Sequence, residues 1–455
     1  MRVDRSRLPD VGPDPAFAFP SIARHTLGNG LDVRTVEHQT VPVVTFVVQV
    51  EGGLGADPAG AEGLAALTAD MVDEGTGTLG ALEVAESLAA IGGDYDVDVG
   101  PDVTVFTLTT LGRFAERGAT LLADLLVRPS LRDADFDRVR RLRLDRLRQL
   151  KDLPPALAER AFLRLLYGDH PYGHLAIGTE SALTGLQLDR VVACHARTFV
   201  PSRATLVIAG PMAHARLRTV AENAFSRWPE HARSGGLQAA AIEPISLPTR
   251  LAMVPREGAA QSELRIGHLS VRRNTPDYPS LLVMNAVLGG QFVSRINLRL
   301  REEKGYTYGA RTGFAWRRGM SPFSLQASVR TTATADAIRD VLAEFEALRG
   351  SRPPSDDEMA LAKASLTRGY PRNFETSQQV ARAVAQLALY GLPDTYFETF
   401  IPEVNAVQTA DVVRAAKHYV DPARAATLIV GDHAVIRDSL DTLGLGAPEL
   451  LSPGP

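Results

Sequence analysis

Hydrophobic residues in the first half of the chain follow two spacings, which predict a mixture of strands and helices. Residues 31–37 and 42–50 are apolar runs of strand length, and residues 92–111 alternate apolar and polar side chains around a Gly-Pro turn. Strands and helices do not alternate strictly, so we expect an α+β fold with an antiparallel-rich sheet flanked by helices. Helical spacing predicts helices at about 62–74, 80–91, 111–127, 132–151 and 155–167.

The same pattern occurs twice along the chain. The stretch HARTFVPSRATLVIAGP around Phe199 matches KHYVDPARAATLIVGD around Tyr419, 220 residues further on. The strand VVTFVVQV likewise finds SELRIGHL at about the same distance. Similarity at a fixed offset indicates duplication. We therefore expect two similar α+β domains in tandem, at 1–232 and 249–455. The intervening residues 233–248 are rich in Gly, Ala and Pro and have no strong periodicity, as is typical of a linker.

Composition excludes several classes of protein. With 45% hydrophobic and 22% charged residues the chain is typical of a soluble globular protein, and a net charge of -4 gives no reason to expect binding to nucleic acid or to an anionic membrane. The N-terminus has charges and prolines but no apolar signal segment, and no apolar run reaches the length of a membrane span, so a cytoplasmic location is expected. The single cysteine, Cys194, excludes an intrachain disulfide, and its Ala/Val-rich helix predicts a core position.

The stretch GLAALTADMVDEGT, residues 63–76, has the frame of a zinc-peptidase helix without its chemistry. In active enzymes such a frame carries His-x-x-Glu-His, with two imidazoles and a glutamate general base on one helix face. Here Ala66, Ala69 and Asp70 occupy those three positions. An alanine methyl group has no lone pair for zinc and cannot accept a proton from water.

With this stretch, several others make the chain resemble the pitrilysin/insulinase-type metallopeptidases, in particular their mitochondrial-processing-peptidase-like bacterial branch. The resemblance covers nearly the whole chain. It implies two α+β halves that form half of a clamshell, in which extended polypeptide is cut by a zinc-bound water. The other matching stretches are LGNGLDV at 27–33, IGGDYDVDVGPDVTVF at 91–106, HPYGHLAIGTE at 170–180, FVPSRATLVIAG at 199–210 and LGGQFVSRINLRLREEKGYTYGA at 288–310.

The resemblance implies that the first-half zinc site is degenerate. The family's third zinc ligand is a glutamate about 75 residues after the motif, and the helix RRLRLDRLRQ places Asp145 or Arg146 there. Two isolated aspartates do not make a four-coordinate site, so we expect no metal in this chain. The alternative pair His170 and His174 has the spacing of helical zinc ligands, but Pro171 and Gly173 between them predict a loop.

The second half keeps an arginine and a tyrosine that reach into the active site in the family, here Arg301 and Tyr308. Arginine offers a fork of donors for peptide carbonyls or a carboxylate, and a tyrosine hydroxyl can hold a developing oxyanion. The plain alternative is that Arg301 solvates a charged helix and that either Tyr306 or Tyr308 only packs.

The segment DYDVDVG takes the place of the family's edge strand, which pairs with substrate backbone. Asp96 stands where the family usually has Asn, and Val97 where it has Ala. Edge pairing uses backbone groups and tolerates such changes. The added negative charge bears on the choice between acidic and basic peptides without deciding it.

We therefore expect the non-catalytic, substrate-binding subunit of a heteromeric zinc metallopeptidase, inactive alone. A His-x-x-Glu-His partner chain of the same family would hold the zinc, and Arg301 and Tyr308 would complete its site in a heterodimer. Two alternatives stay open: a structural scaffold or core subunit, and a peptide-binding protein that does not cleave.

Overall fold

The computed structural model describes residues 17–230 and 250–452, and these form two six-stranded sheets flanked by helices. The first sheet contains β1 (Ile22–Thr26), β2 (Asp32–Glu37), β3 (Val43–Glu51), β6 (Asp94–Val99), β7 (Val103–Leu111) and β8 (Ala204–Gly210), and a small ribbon contains β4 (Gly75–Thr76) and β5 (Leu79–Gly80). The second sheet contains β9 (Leu251–Pro255), β10 (Gln261–Leu269), β11 (Thr307–Phe314), β12 (Pro322–Arg330), β13 (Ala426–Gly431) and β14 (Glu449–Leu450).

The helices pack around these sheets. Those before residue 231 are α1 (Leu64–Asp70), α2 (Ala81–Ala89), α3 (Ala115–Val127), α4 (Asp133–Lys151), α5 (Pro154–Tyr167), α6 (Glu180–Gly185), α7 (Leu188–Thr198) and α8 (His214–Phe225). Those after residue 249 are α9 (Tyr278–Leu288), α10 (Arg295–Asn297), α11 (Thr334–Glu346), α12 (Asp356–Thr367), α13 (Ser377–Tyr390), α14 (Tyr396–Ala406), α15 (Thr409–Tyr419) and α16 (His433–Leu440). Helix α10 continues into wider π-type turns at Leu298–Glu303. No helix of the described ranges is both long and apolar enough to cross a membrane.

Five strands of each sheet have the same topology, which confirms the predicted duplication, whereas the edge strands differ because β1 is antiparallel to β2 and β14 is parallel to β9. The first has the order β1-β2-β8-β3-β7-β6, and the second, taken in the same sense, has β14-β9-β13-β10-β12-β11. In each sheet one inner pair is parallel, β2 with β8 and β9 with β13, whereas the pairs from there to the far edge are antiparallel. The stretches VVTFVVQV and SELRIGHL lie in the equivalent strands β3 and β10.

Helix α1 is shorter than the 62–74 expected from the sequence. It ends at Asp70, because the chain then turns into the ribbon that begins at Gly75, where φ is 157°. The predicted linker at 233–248 lies outside the described residues, so the domain boundaries at 232 and 249 stay predictions.

Each half contributes one helix to the sheet of the other half. Helix α5 packs on β10 and β13, and its Phe162 and Leu166 share a core with Val254 and Leu428. Helix α13 packs in return on β3 and β8 of the first sheet. Because burying apolar area is the main stabilising term in folding, each sheet depends on the other half for part of its core.

Candidate functional site

Helix α1 carries the three positions expected for zinc chemistry, and Asp57 fixes its start. Gly63 precedes the helix at φ 97°, a conformation that favours glycine. The buried Asp57 carboxylate accepts hydrogen bonds from the backbone N–H groups of Gly63 at 2.8 Å and Ala65 at 2.7 Å. Burial raises the pKa of Asp57 to about 6. The Asp57 carboxylate thus stabilises the first turn of the helix by hydrogen bonds to its backbone, although the helix lacks metal ligands.

Of the three replaced positions of the zinc motif, two carry buried apolar side chains and the third carries a carboxylate. Ala66 and Ala69 are buried, and Ala69 belongs to the core of the first half. Only Asp70 offers oxygen atoms, and its carboxylate forms an ion pair with the Arg143 guanidinium of α4. A second Arg143 nitrogen donates to the carbonyl of Ala176 at 2.7 Å. A protein cation therefore lies against the one carboxylate of the former zinc motif.

The residue of α4 that faces Asp70 is Arg143, so the expectation of Asp145 or Arg146 is wrong. Asp145 is 52% exposed and pairs with Arg148 at 2.8 Å, while Arg146 bonds Gln149 at 3.2 Å. The helical period explains the difference, because the buried side of α4 is the set Phe136, Val139, Arg143 and Leu147. That spacing was a signal in the sequence which could have identified Arg143.

These residues do not fit a zinc ion. Zinc in peptidases needs three nitrogen, sulfur or oxygen ligands from the protein, and a guanidinium is a cation without a lone pair to give. Within the described ranges there is no group of three or more His, Cys, Asp or Glu side chains that could hold a metal.

Acidic groups surround the degenerate helix. Burial, together with the nearby carboxylates of Glu74 and Asp70, raises the pKa of Asp73 to about 6. Tyr95 of β6 has a buried hydroxyl that finds no hydrogen-bond partner within the described residues. Burial raises the pKa of this phenol, and Asp73 and Asp70 add to the shift. The neighbourhood of the degenerate helix is therefore acidic and partly buried, and the Arg143 guanidinium balances one of its carboxylates, Asp70.

Replacing Asp73 with asparagine is expected to stabilise the protein at pH 8 and hardly at pH 4. The folded-state pKa near 6 lies above the ordinary value of about 3.9. Between these values the folded chain binds more protons than the unfolded chain, so stability falls as pH rises and the loss is complete above pH 6. The neutral amide removes a penalty of at most about 3 kcal/mol. Denaturant unfolding at both pH values measures the difference, with the exposed Asp145→Asn as control. A gain of equal size at both pH values would contradict the assignment.

The segment DYDVDVG lies where the edge strand was expected. Among the described strands, β6 pairs only with β7 and lies at the edge of the first sheet. Asp96 points outward, and its carboxylate accepts a hydrogen bond from Arg382 of α13 at 2.7 Å. Val97 points the other way and packs against the first-half core. The charge of Asp96 is thus balanced within the chain by the other half.

Arg301 has an unused hydrogen-bond donor. Its guanidinium lies 4.0 Å above the Phe292 ring and 3.5 Å from the Glu302 carboxylate. Its Nη1 atom is buried and has no hydrogen-bond partner in the described part of the chain. A buried donor without an acceptor is costly, so a group that accepts this hydrogen bond would bind favourably.

Tyr308 points into solvent. It lies on the edge strand β11 and is 93% exposed, whereas Tyr306 packs against the core of the second half. Of the two tyrosines, Tyr306 is therefore the packing residue. The contacts of Arg301 with Phe292 and Glu302 lie in the second half.

The histidine pair has local roles. The short turn Pro171–Gly173 separates the two rings, as the loop prediction requires, and His170 Nδ1 accepts a hydrogen bond from Tyr172 N at 3.1 Å. His174 Nδ1 lies 3.0 Å from the Leu175 carbonyl. Cys194 is buried, as expected, and burial raises the pKa of its thiol.

Known protein families and individual proteins are similar to this chain in sequence. The family model described as "Insulinase (Peptidase family M16)" matches residues 33–180, and the one described as "Peptidase M16 inactive domain" matches residues 185–366. An uncharacterized zinc protease of Mycobacterium tuberculosis is 24% identical over 423 residues, covering 92% of this chain and 95% of the relative. The non-peptidase homolog YmxG of Helicobacter pylori is 23% identical over 383 residues, covering 83% of this chain and 86% of the relative.

Solved structures show the same fold. A peptidase M16 inactive domain from Pseudomonas fluorescens has a TM-score of 0.84 at 21% identity, over 90% of this chain and 98% of that one. A protease from Helicobacter pylori has a TM-score of 0.84 at 18% identity, over 91% of this chain and all of that one.

The duplicated fold and the replaced zinc motif define a peptidase-like protein in which no group of described residues could hold zinc. The chain belongs to the M16 or insulinase family of peptidases, which confirms the resemblance.

Proposed function

We propose that this chain is the substrate-binding subunit of a heteromeric zinc metallopeptidase. The observation that carries the proposal is the difference between its halves. In the first half an ion pair between Asp70 and Arg143 fills the place of the metal. In the second half Arg301 keeps an unused donor and Tyr308 keeps a solvent-exposed hydroxyl. Groups of this kind can complete a site whose zinc belongs to another chain.

Each residue has a role that follows from its chemistry. The Arg301 guanidinium would hold a peptide carbonyl or carboxylate, and the Tyr308 hydroxyl would donate to the oxyanion that forms during attack on the peptide bond. A cleft of 550 Å³ opens beside them, lined by Phe292, Asn297 and Gly309 among others, and could take substrate. The partner chain would supply the His-x-x-Glu-His helix and its zinc-bound water.

Strand β6 is our candidate for a second contact with the peptide. Its outer edge is not paired with another described strand, so its backbone could extend the sheet by one peptide strand. Because Asp96 is paired with Arg382 and Val97 faces inward, we expect the backbone rather than these side chains to provide affinity.

A scaffold, or a peptide-binding protein that does not cleave, is the second candidate. Two observations favour it: every position of the zinc motif is replaced, and one relative carries the name non-peptidase homolog. The two candidate functions differ in one respect: only in the substrate-binding subunit do Arg301 and Tyr308 affect the rate of peptide cleavage.

Co-expression with a His-x-x-Glu-His chain encoded by a neighbouring gene tests the proposal. We expect a stable complex with zinc in the partner and chelator-sensitive peptide cleavage that neither chain shows alone. A partner that cleaves equally well without this chain would refute the shared site.

A further inference from the structure

Asn297 connects the surroundings of the two residues proposed to act on substrate. We propose that its carboxamide is a positioning group, which holds both the ring beneath Arg301 and the strand that carries Tyr308. The inference rests on the proposed function of those two residues. Asn297 itself is only 3% exposed, so its proposed role is to hold these two neighbours rather than to bind substrate.

The carboxamide joins two backbone segments. Asn297 Oδ1 accepts a hydrogen bond from Ala310 N at 3.0 Å, and its Nδ2 donates to the carbonyl of Phe292. One partner can only donate and the other can only accept, which fixes the orientation of the amide. A side chain that bridges an N–H and a C=O at this distance must carry both an acceptor and a donor.

The first segment supports Arg301. Phe292 lies in the loop after α9, and its ring is 62% exposed, so few side-chain contacts hold it. The Arg301 guanidinium nevertheless lies only 4.0 Å above this ring. The hydrogen bond from Asn297 to the Phe292 carbonyl fixes the loop backbone, and through the ring it limits where the guanidinium can lie.

The second segment, in strand β11, determines the direction of the Tyr308 side chain. Along β11 the pairing with β12 shifts between Thr307 and Ala310, so one extra residue bulges out at Tyr308 and Gly309. The Thr307 hydroxyl closes the bulge by accepting from Gly309 N at 3.1 Å. Asn297 bonds the N–H of Ala310, the residue at which regular pairing resumes. Bulges change the direction of a side chain, so this bond sets where the Tyr308 hydroxyl points.

A double-mutant cycle in the assembled two-chain peptidase tests the inference. Asn297→Leu removes both hydrogen bonds and is expected to lower kcat about tenfold to a hundredfold, since displacing a reacting group by an ångström has effects of that size. In a Tyr308→Phe background the same change should lower kcat less than about twofold, because the hydroxyl that it positions is already gone.

The Asn297→Asp variant tests the contributions of the two segments separately. The carboxylate can still accept from Ala310 N but can no longer donate to the Phe292 carbonyl. We therefore expect a raised KM with a smaller change in kcat, and no further rise in KM in an Arg301→Ala background. This cycle also carries the test if the leucine variant fails to fold.

Asn29 provides a matched control in the first half. It is buried, its Nδ2 donates to the Phe225 carbonyl at 2.8 Å, and its Oδ1 accepts from Leu31 N at 3.3 Å. Asn29→Leu should destabilise the chain in the same way, but its kinetic effect should be independent of Tyr308→Phe.

The outcomes distinguish this inference from the proposed function. If Tyr308→Phe alone has no kinetic effect, the shared site is refuted. If Tyr308→Phe lowers kcat but Asn297→Leu lowers it by the same factor in both backgrounds, as the Asn29 control does, then Asn297 is only a structural residue and the inference is overturned.

Discussion

Replacing Tyr308 with phenylalanine in the assembled peptidase is expected to lower kcat about a hundredfold, which is typical for the loss of one oxyanion donor. The hydroxyl is exposed and the change keeps the ring, so assembly and melting temperature should hardly change. A group that acts only in the transition state contributes equally to kcat and kcat/KM, so both should fall together. Steady-state cleavage of a fluorogenic peptide over a range of concentrations measures the two constants.

Tyr306→Phe is the control for this experiment. It removes the same atom two residues earlier, from a tyrosine that packs against the core. We expect wild-type kinetics from this variant. Equal cleavage rates for the wild-type and Tyr308→Phe complexes at saturating peptide would instead make the chain a scaffold.

The sequence was sufficient to predict the duplication, and it shows directly that the residues of the zinc motif are replaced. Apolar strands such as VVTFVVQV are buried in both halves, so their composition is restricted and their repetition can be recognised. The loss of zinc ligands follows from residue types alone, because an alanine methyl group cannot bind a metal whatever its surroundings.

The sequence was not sufficient to predict which distant groups meet. An apolar face shows that α5 must be buried, but not that it packs on the sheet of the other half. The ion pair between Asp96 and Arg382 joins residues 286 positions apart, and neither residue shows a pattern that indicates the other. Asn297 lies in a charged helix without distinctive spacing, so its bridge to Phe292 and Ala310 becomes visible only in the structure.

The position of Arg143 beside the zinc motif was missed, although the sequence contained the information needed to predict it. Counting about 75 residues from the zinc motif could not separate position 143 from 145, whereas the apolar spacing of α4 could have done so. This correction changes what would be needed to rebuild a metal site in the first half.

Restoring the motif alone, with Ala66→His, Ala69→Glu and Asp70→His, is expected to leave the purified chain without tightly bound zinc. The two introduced imidazoles would be the only protein ligands, and three are needed. The Arg143 guanidinium would also face the metal, now without the Asp70 carboxylate that balances it. Two unit charges 4 Å apart repel by about 4 kcal/mol at a partly buried site, so at that distance the guanidinium would weaken the binding of a doubly charged zinc ion by at least about a thousandfold in Kd.

Adding Arg143→Glu to those three changes should produce a zinc site, because it removes the cation and supplies the carboxylate ligand that the family resemblance implies. Arg143→Gln in the same background is the control, since it removes the charge without adding a carboxylate and should bind zinc only weakly. Metal analysis after dialysis should therefore give about one zinc per chain for the glutamate variant alone.

All these variants should melt at lower temperature than the wild type, because larger side chains enter the buried positions of Ala66 and Ala69 at a cost of about 1–3 kcal/mol each. One tightly bound zinc in the three-change variant would mean that Arg143 moves aside and that another residue completes the site. Zinc bound after Arg143→Glu but not after Arg143→Gln would show that the missing carboxylate ligand, and not only the two missing histidines, keeps the first half free of metal.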